Sequence, residues 1–184
     1  MGHIDHGKST LLDFIRKTNV TEGEVGGITQ HLSAYQIEKE TPDGKRFITF
    51  IDTPGHAAFQ AMRERGASVA DIAILVVSAE DGVKPQTLEA LKDIKETQTP
   101  FVVAINKIDK PNADIEKTKA NLAENEVYLE NYGGNIPFAA ISAKTGTGIP
   151  ELLETILLLA VTEGMKSDPE GSAEGVVIES HLDG

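Results

Sequence analysis

Gly2-His3-Ile4-Asp5-His6-Gly7-Lys8-Ser9 fits the pattern G-x-x-x-x-G-K-S/T, a loop that cradles phosphates. Its chemistry needs these residue types. The glycines let the backbone curl so that successive N–H groups converge on a β-phosphate. Lys8 carries a flexible cation to the β- and γ-phosphates, and the Ser9 hydroxyl is a hard oxygen ligand for Mg²⁺. Thr10 continues into a helix whose positive end faces the same phosphates. The phosphate-binding stretch is therefore read as Gly2, His3, Ile4, Asp5, His6, Gly7, Lys8, Ser9 and Thr10. At average composition the motif arises by chance in about 1 chain in 100 of this length, so it needs support from the rest of the chain. His3 and His6 raise the question of a metal. With no cysteine in the chain and no third donor nearby, they read as loop residues.

Outward from the loop, helices and strands alternate. Residues 11–17 read as a short helix, and residues 18–33, with Gly23, Gly26 and Gly27, as a loop. Strands are expected over 34–38 and 46–52. Pro42-Asp43-Gly44 between them predicts an antiparallel hairpin. Residues 57–65 read as helix. Ile72-Ala73-Ile74-Leu75-Val76-Val77 is a continuous apolar run, the mark of a strand buried on both faces. A helix over 86–97, a strand over 100–105, a helix over 113–130, a strand over 136–141 and a Leu-rich helix over 150–163 complete the pattern. These repeats predict an α/β fold: a mostly parallel sheet, one antiparallel hairpin strand, and helices on both faces. Met1 leaves no room for the strand expected to feed the phosphate loop, so the first strand reads as missing. Residues 164–174 read as a linker, and 175–184 as the truncated start of another domain.

Composition narrows the function. The 184 residues can bury a sizeable core. No apolar run approaches the ~20 residues of a membrane span, and no signal core is present, which argues against a membrane role. The absence of cysteine excludes thiolate chemistry and disulfides and fits a cytoplasmic setting. A net charge of −12, from 29 acids against 17 bases, repels nucleic acid, so DNA is not an expected partner and any RNA contact must be local.

Three further motifs follow in order, each at the C-terminal end of an expected strand, where open α/β sheets bind ligands. In Asp52-Thr53-Pro54-Gly55-His56, Asp52 can hold a metal-bound water and Gly55 can offer its N–H to a γ-phosphate. A plain strand-to-helix turn would use the same residues. In Asn106-Lys107-Ile108-Asp109, the Asp109 carboxylate can accept from N1 and the 2-amino group of guanine, a donor pair adenine lacks. In Ser142-Ala143-Lys144, a backbone N–H can meet the guanine O6. Each is weak alone. Together with the phosphate loop, and in this order, they point to GTP.

On these residues the sequence resembles the translational GTPases, and most closely the G domain of bacterial-type translation initiation factor 2. The resemblance extends over nearly the whole chain. It is carried by G-H-I-D-H-G-K-S-T-L-L-D at 2–13, G-G-I-T-Q-H at 26–31, D-T-P-G-H-A-A-F-Q-A-M-R-E-R-G-A at 52–67, D-G-V-K-P-Q-T at 81–87, N-K-I-D at 106–109 and S-A-K-T-G-T-G-I at 142–149. Elongation factor Tu relatives typically carry R-G-I-T-I and D-C-P-G-H in place of the second and third.

The resemblance implies a P-loop GTPase fold over 1–163 and a β-barrel beginning at 175–184. It implies Mg²⁺ held by Ser9, Thr29 and, through water, Asp52. Gly55 would sense the γ-phosphate, and His56 would be the catalytic residue that positions the attacking water, flanked by Ile4 and Ile28. A monovalent cation would sit near Asp5. The stems of Lys107 and Lys144 would pack on a guanine bound by Asn106, Asp109, Ser142 and Ala143. The implied function is a GTP-hydrolysing switch of translation initiation. The ribosome would be its partner, and initiator tRNA would be reached through domains outside this sequence. The sequence leaves two alternatives open: an elongation-type factor, and an incomplete or non-hydrolysing G-domain fragment.

Overall fold

The computed structural model describes residues 1–16, 33–42, 44–53, 60–166, 171–172 and 175–178. The phosphate-loop sequence forms a single 3-10 turn at Ile4–His6 and runs into α1 (Lys8–Arg16), which starts earlier than the apolar pattern alone suggests. The hairpin forms as expected. β1 (Ser33–Thr41) pairs antiparallel with β2 (Gly44–Asp52), in register from Ser33↔Asp52 to Thr41↔Gly44. α2 (Gln60–Val69) runs past the expected end at 65, through Gly66 to the buried Ala67. Of the expected loop over 18–33, residues 18–32 lie outside the described residues while Ser33 already belongs to β1; the first part of the expected helix, 57–59, also lies outside them.

The three apolar runs become β3 (Ala73–Ser78), β4 (Phe101–Asn106) and β5 (Phe138–Ala140), with α3 (Pro85–Thr97) and α4 (Ile115–Glu124) between them and α5 (Ile149–Thr162) after them. The strands pair in parallel in the order β3-β4-β5. Successive side chains point to opposite faces. Val76, Val102 and Ala104 therefore pack with Leu11, Leu152 and Ile156 in one apolar cluster. Leu75, Val77, Val103 and Ile105 pack with Leu91, Ile94 and Leu122 in another. Burial on both faces explains why the runs are continuous rather than alternating.

Two expected elements are shorter than their patterns. α4 covers 115–124 rather than 113–130. Asp114 caps its start by accepting from the Lys117 N–H at 2.9 Å. Its end comes at Asn125, before Glu126 turns left-handed at φ 62°. Beyond that point Val127 and Leu129 are buried while Tyr128 and Glu130 are exposed. That is period two, and Leu129 and Glu130 bridge to Ile136 and Gly134. β5 keeps only Phe138–Ala140, because Pro137 ahead of it has no N–H for a ladder.

The hairpin is a sheet of its own, beside the parallel sheet rather than within it: among the described residues no strand joins β2 to β3. The chain's first two residues lie on the open edge of β3. The Met1 ammonium donates to the Ile74 carbonyl at 2.8 Å and the Val76 N–H donates to the Met1 carbonyl at 2.9 Å. Gly2 and Val76 form a parallel bridge. Residues 175–178, expected to begin a strand, carry no strand pairing, and Val176 and Val177 are exposed.

Candidate nucleotide site

The phosphate-loop sequence curls at the C-terminal end of β3. Gly7 sits at φ 85°, in the left-handed region, and a Cβ there would meet the Asn106 side-chain nitrogen at 2.5 Å. Glycine is required both for the turn and for that approach. Lys8 is buried, and its ammonium donates to the His3 carbonyl at 2.7 Å, so the loop wraps around the cation at its base. Ser9 and the exposed Thr10 follow in the first turn of α1. Asp5 is exposed at the loop's outer edge.

His6 is fully buried, with Nδ1 at 3.3 Å from the Val76 carbonyl. Burial lowers its pKa to about 4. A neutral ring packed under the loop, edge-on to His3 at 5.0 Å between centroids, is a structural post. Among the described residues no cluster of three or more His, Asp or Glu side chains could hold a metal ion.

Asn106, at the end of β4, is the tie. Its side-chain nitrogen donates to the His6 carbonyl at 2.8 Å, and its side-chain oxygen accepts from the Ala143 N–H at 2.9 Å. One buried amide thus links the phosphate loop to the 142–144 loop. Lys107 follows at φ 65° and lies 3.7 Å from the Asp81 carboxylate. Burial pushes the Asp81 carboxyl up, but a side-chain hydrogen bond with Ser78 and the Lys107 charge outweigh it, so its pKa is lowered. Asp109 is exposed at the rim. The buried Ser142 hydroxyl donates to it at 2.7 Å, and that bond is the main cause of its lowered pKa. Each carboxylate oxygen has two acceptor sites, so the bond steadies the group without using up its capacity to accept from a ligand. Ser142 also accepts from the Thr145 N–H at 3.1 Å, and Lys144 is exposed beside it.

Asp52 ends β2, with the buried Thr53 behind it. Lys8, Asp52 and Thr53 line one common cavity. The structure therefore brings together the phosphate loop, the 106–109 motif and the 142–144 motif, with Asp52 on the flank. Ile28, Thr29, Gly55 and His56 lie outside the described residues.

One site residue escapes the motifs. Gln86, at the start of α3, accepts from the Ile4 N–H at 2.9 Å and so holds the phosphate loop from outside. The D-G-V-K-P-Q-T stretch contains it, but nothing in its local pattern shows that the amide reaches back 82 residues.

The profile of the elongation factor Tu GTP binding domain matches residues 1–162. Translation initiation factor IF-2 of Desulforamulus reducens is 55% identical over 183 residues, which is 100% of this chain and 18% of that protein. Translation initiation factor IF-2 of Bartonella henselae is 57% identical over 183 residues, again 100% of this chain and 21% of that protein. The chain spans about a fifth of the length of the curated relatives it matches. Among solved structures, a bacterial selenocysteine-specific elongation factor EF-Sec is similar at 30% identity and a TM-score of 0.71, over 88% of this chain and 28% of its own. Translation elongation factor SelB from Methanococcus maripaludis, solved with the GTP analogue GppNHp, is similar at 32% identity and a TM-score of 0.68, over 88% of this chain and 32% of its own.

Proposed function

The chain belongs to the elongation factor Tu GTP-binding domain family, and from that premise we propose that it is the GTP-binding and GTP-hydrolysing switch domain of a translation initiation factor. The Asn106 tie carries the reading. It sets the phosphate loop and the 142–144 loop at a fixed separation, as a ligand with phosphates at one end and a base at the other requires. Asp109, ionised and steadied by Ser142, supplies the paired acceptor for guanine N1 and its 2-amino group. The Ala143–Lys144 backbone faces O6, and the Lys107 and Lys144 stems cover the base.

The loop from Gly2 to Thr10 binds the phosphates through its N–H groups, with Lys8 on the β- and γ-oxygens. The hydroxyls of Ser9 and Thr29 and, through water, the carboxylate of Asp52 are hard oxygen donors suited to Mg²⁺, which when bound would neutralise charge on the phosphate oxygens. Thr29, Gly55 and His56 take their roles from the sequence resemblance. Gly55 senses the γ-phosphate, and His56 orients a water for in-line attack on it. Imidazole is too weak a base to deprotonate water outright, so its contribution is orientation and charge stabilisation. Ile4 and Ile28 hold the ring aside until a partner moves it, and Asp5 would hold a monovalent cation.

At the level of the whole protein, the ribosome completes the site, and initiator tRNA is bound by domains outside this chain. The G domain is 1–163, the linker 164–174, and 175–184 opens a β-barrel. The setting is cytoplasmic, and among the described residues no helix is long and apolar enough to cross a membrane. Identity of 55–57% to initiation factors, with D-T-P-G-H-A-A-F at 52–59, supports initiation over an elongation role.

The test is Asp109→Asn. Losing the paired acceptor is expected to cost on the order of 10²–10⁴ in GTP affinity, as at other sites built on buried hydrogen-bond pairs. Xanthosine triphosphate, whose 2-oxo group accepts where guanine donates, should bind the variant better than the parent. Unchanged GTP affinity in titration calorimetry would remove the guanine site. In the full-length protein, His56→Ala should keep affinity within a few-fold and lose roughly 10²–10⁴ of ribosome-stimulated hydrolysis.

A further inference from the structure

Phe14 lies in α1, whose first residue is the phosphate-loop Lys8. A helix rises about 1.5 Å per residue, so Phe14 stands roughly 9 Å along the axis from the phosphate end. It is 43% exposed and joins neither apolar cluster, so core burial does not account for it. What it touches is the tip of the 142–148 loop. A Cβ on Gly146 would collide with the far edge of the Phe14 ring, at Cζ. Gly146 also sits at φ 85°. The tip therefore needs glycine twice, once for its left-handed turn and once for the approach of the ring.

Three different elements hold this loop. Near its start, the Asn106 side chain accepts from the Ala143 N–H. At its end, a Cβ on Gly148 would collide with the Ala140 carbonyl, so the backbone lies against the end of β5. Between these points, Phe14 bears on the tip. The tip is in turn bonded to the residues assigned to the base. The Gly146 N–H donates to the Ser142 carbonyl at 2.8 Å, and the Thr145 N–H donates to the Ser142 hydroxyl at 3.1 Å. That hydroxyl donates to Asp109 at 2.7 Å. A shift of Gly146 would therefore be passed through Ser142 to the Asp109 carboxylate.

We propose that Phe14 is a positioning residue for guanine recognition, its ring holding Gly146 so that Ser142, Ala143 and Asp109 keep their places against the base. The proposal rests on the guanine reading given above and extends it to a residue outside the four motifs. The Asn106 tie fixes the loop near Ala143 and leaves the tip free to pivot about that point. The ring supplies a second point of support. Because Phe14 and Lys8 belong to one helix, that support also sets the base loop at a fixed distance from the phosphates. Phe14 acts through Gly146 and Ser142 and has no need to touch the nucleotide.

The test compares Phe14→Ala and Phe14→Met in the full chain. GDP and inosine diphosphate, which lacks the 2-amino group, are titrated into each by calorimetry, and hydrogen exchange is followed at the Gly146 amide. Phe14→Ala should weaken GDP by about tenfold and inosine diphosphate by about threefold, so that the preference for guanine falls. The Gly146 amide should exchange faster. Methionine reaches about as far as the ring and should restore most of the preference, a rescue that loss of fold would not show. An unchanged preference, whether both nucleotides weaken equally or only the Tm falls, would overturn the proposal, because Phe14 would then support the helix alone. A parent chain with no preference for GDP over inosine diphosphate would instead fail the guanine reading. The exchange measurement then judges the contact by itself: faster Gly146 exchange in Phe14→Ala supports it, and unchanged exchange overturns it.

Discussion

The two sides of β3 differ in how they are held. Toward β4 and β5, the strand ends are joined by polar ties that cross long stretches of chain: Asn106 to His6 and Ala143, Ser142 to Asp109, Gln86 to Ile4. Toward β2, the contacts are apolar and the strand edges face a cavity. The first side has its hydrogen bonds made within the chain and its groups aimed outward at a ligand. The second is held by side-chain packing among Leu11, Phe50, Val76 and Ile156. The first side depends on individual polar side chains and the second on apolar packing.

Substitutions on the two sides should separate accordingly. The largest effect is expected from Asn106→Ala. It leaves a buried carbonyl at His6 and a buried N–H at Ala143 without partners, at about 1–3 kcal/mol each. GTP affinity should fall by roughly 10²-fold or more in titration calorimetry. If GTP affinity holds, the loops keep their separation without the tie, and the two sides of β3 do not differ in this way.

Next in size is Leu75→Ala, in the well-packed cluster between β3 and α3. A fully buried leucine should cost about 2–5 kcal/mol in urea unfolding. Ile72→Ala, just ahead of β3, removes a partly buried side chain beside the cavity that faces β2 and should cost about 1–2 kcal/mol. Equal losses would mean that the side facing β2 is as tightly packed as the cluster under α3.

The pH effect is of similar order. His6 is neutral in the fold, with a pKa near 4 against 6.5 when unfolded. Below pH 6.5 the unfolded chain binds the extra proton. Stability is therefore full above pH 6.5 and falls as pH drops toward 4, by about 3 kcal/mol at most. Unfolding midpoints measured from pH 7.5 to 4.5 should show this slope, and His6→Asn should flatten it. The smallest effect is expected from Gln86→Ala, which removes one hydrogen bond to the Ile4 N–H at the site's margin. About 1 kcal/mol, or a few-fold in GTP affinity, should appear in the same titration.

Local chemistry made the polar side readable and left the other mostly hidden. The glycine spacing of the phosphate loop, the continuous apolar runs and the Pro42-Asp43-Gly44 turn each act over a few residues, where sterics and burial leave few choices. The sequence by itself thus determined the α/β class, the hairpin, the order of the motifs and the strand ends that carry them. It misjudged 127–130, where an apolar stretch fits helix and strand alike until neighbouring chain decides. Tertiary structure alone decided that Asn106 reaches His6 across 100 residues and that Gln86 holds Ile4. The physical reason is range. Periodicity records which face of an element is buried, whereas a hydrogen bond between distant loops, or an edge between two sheets, exists only once packing has set them at bonding distance.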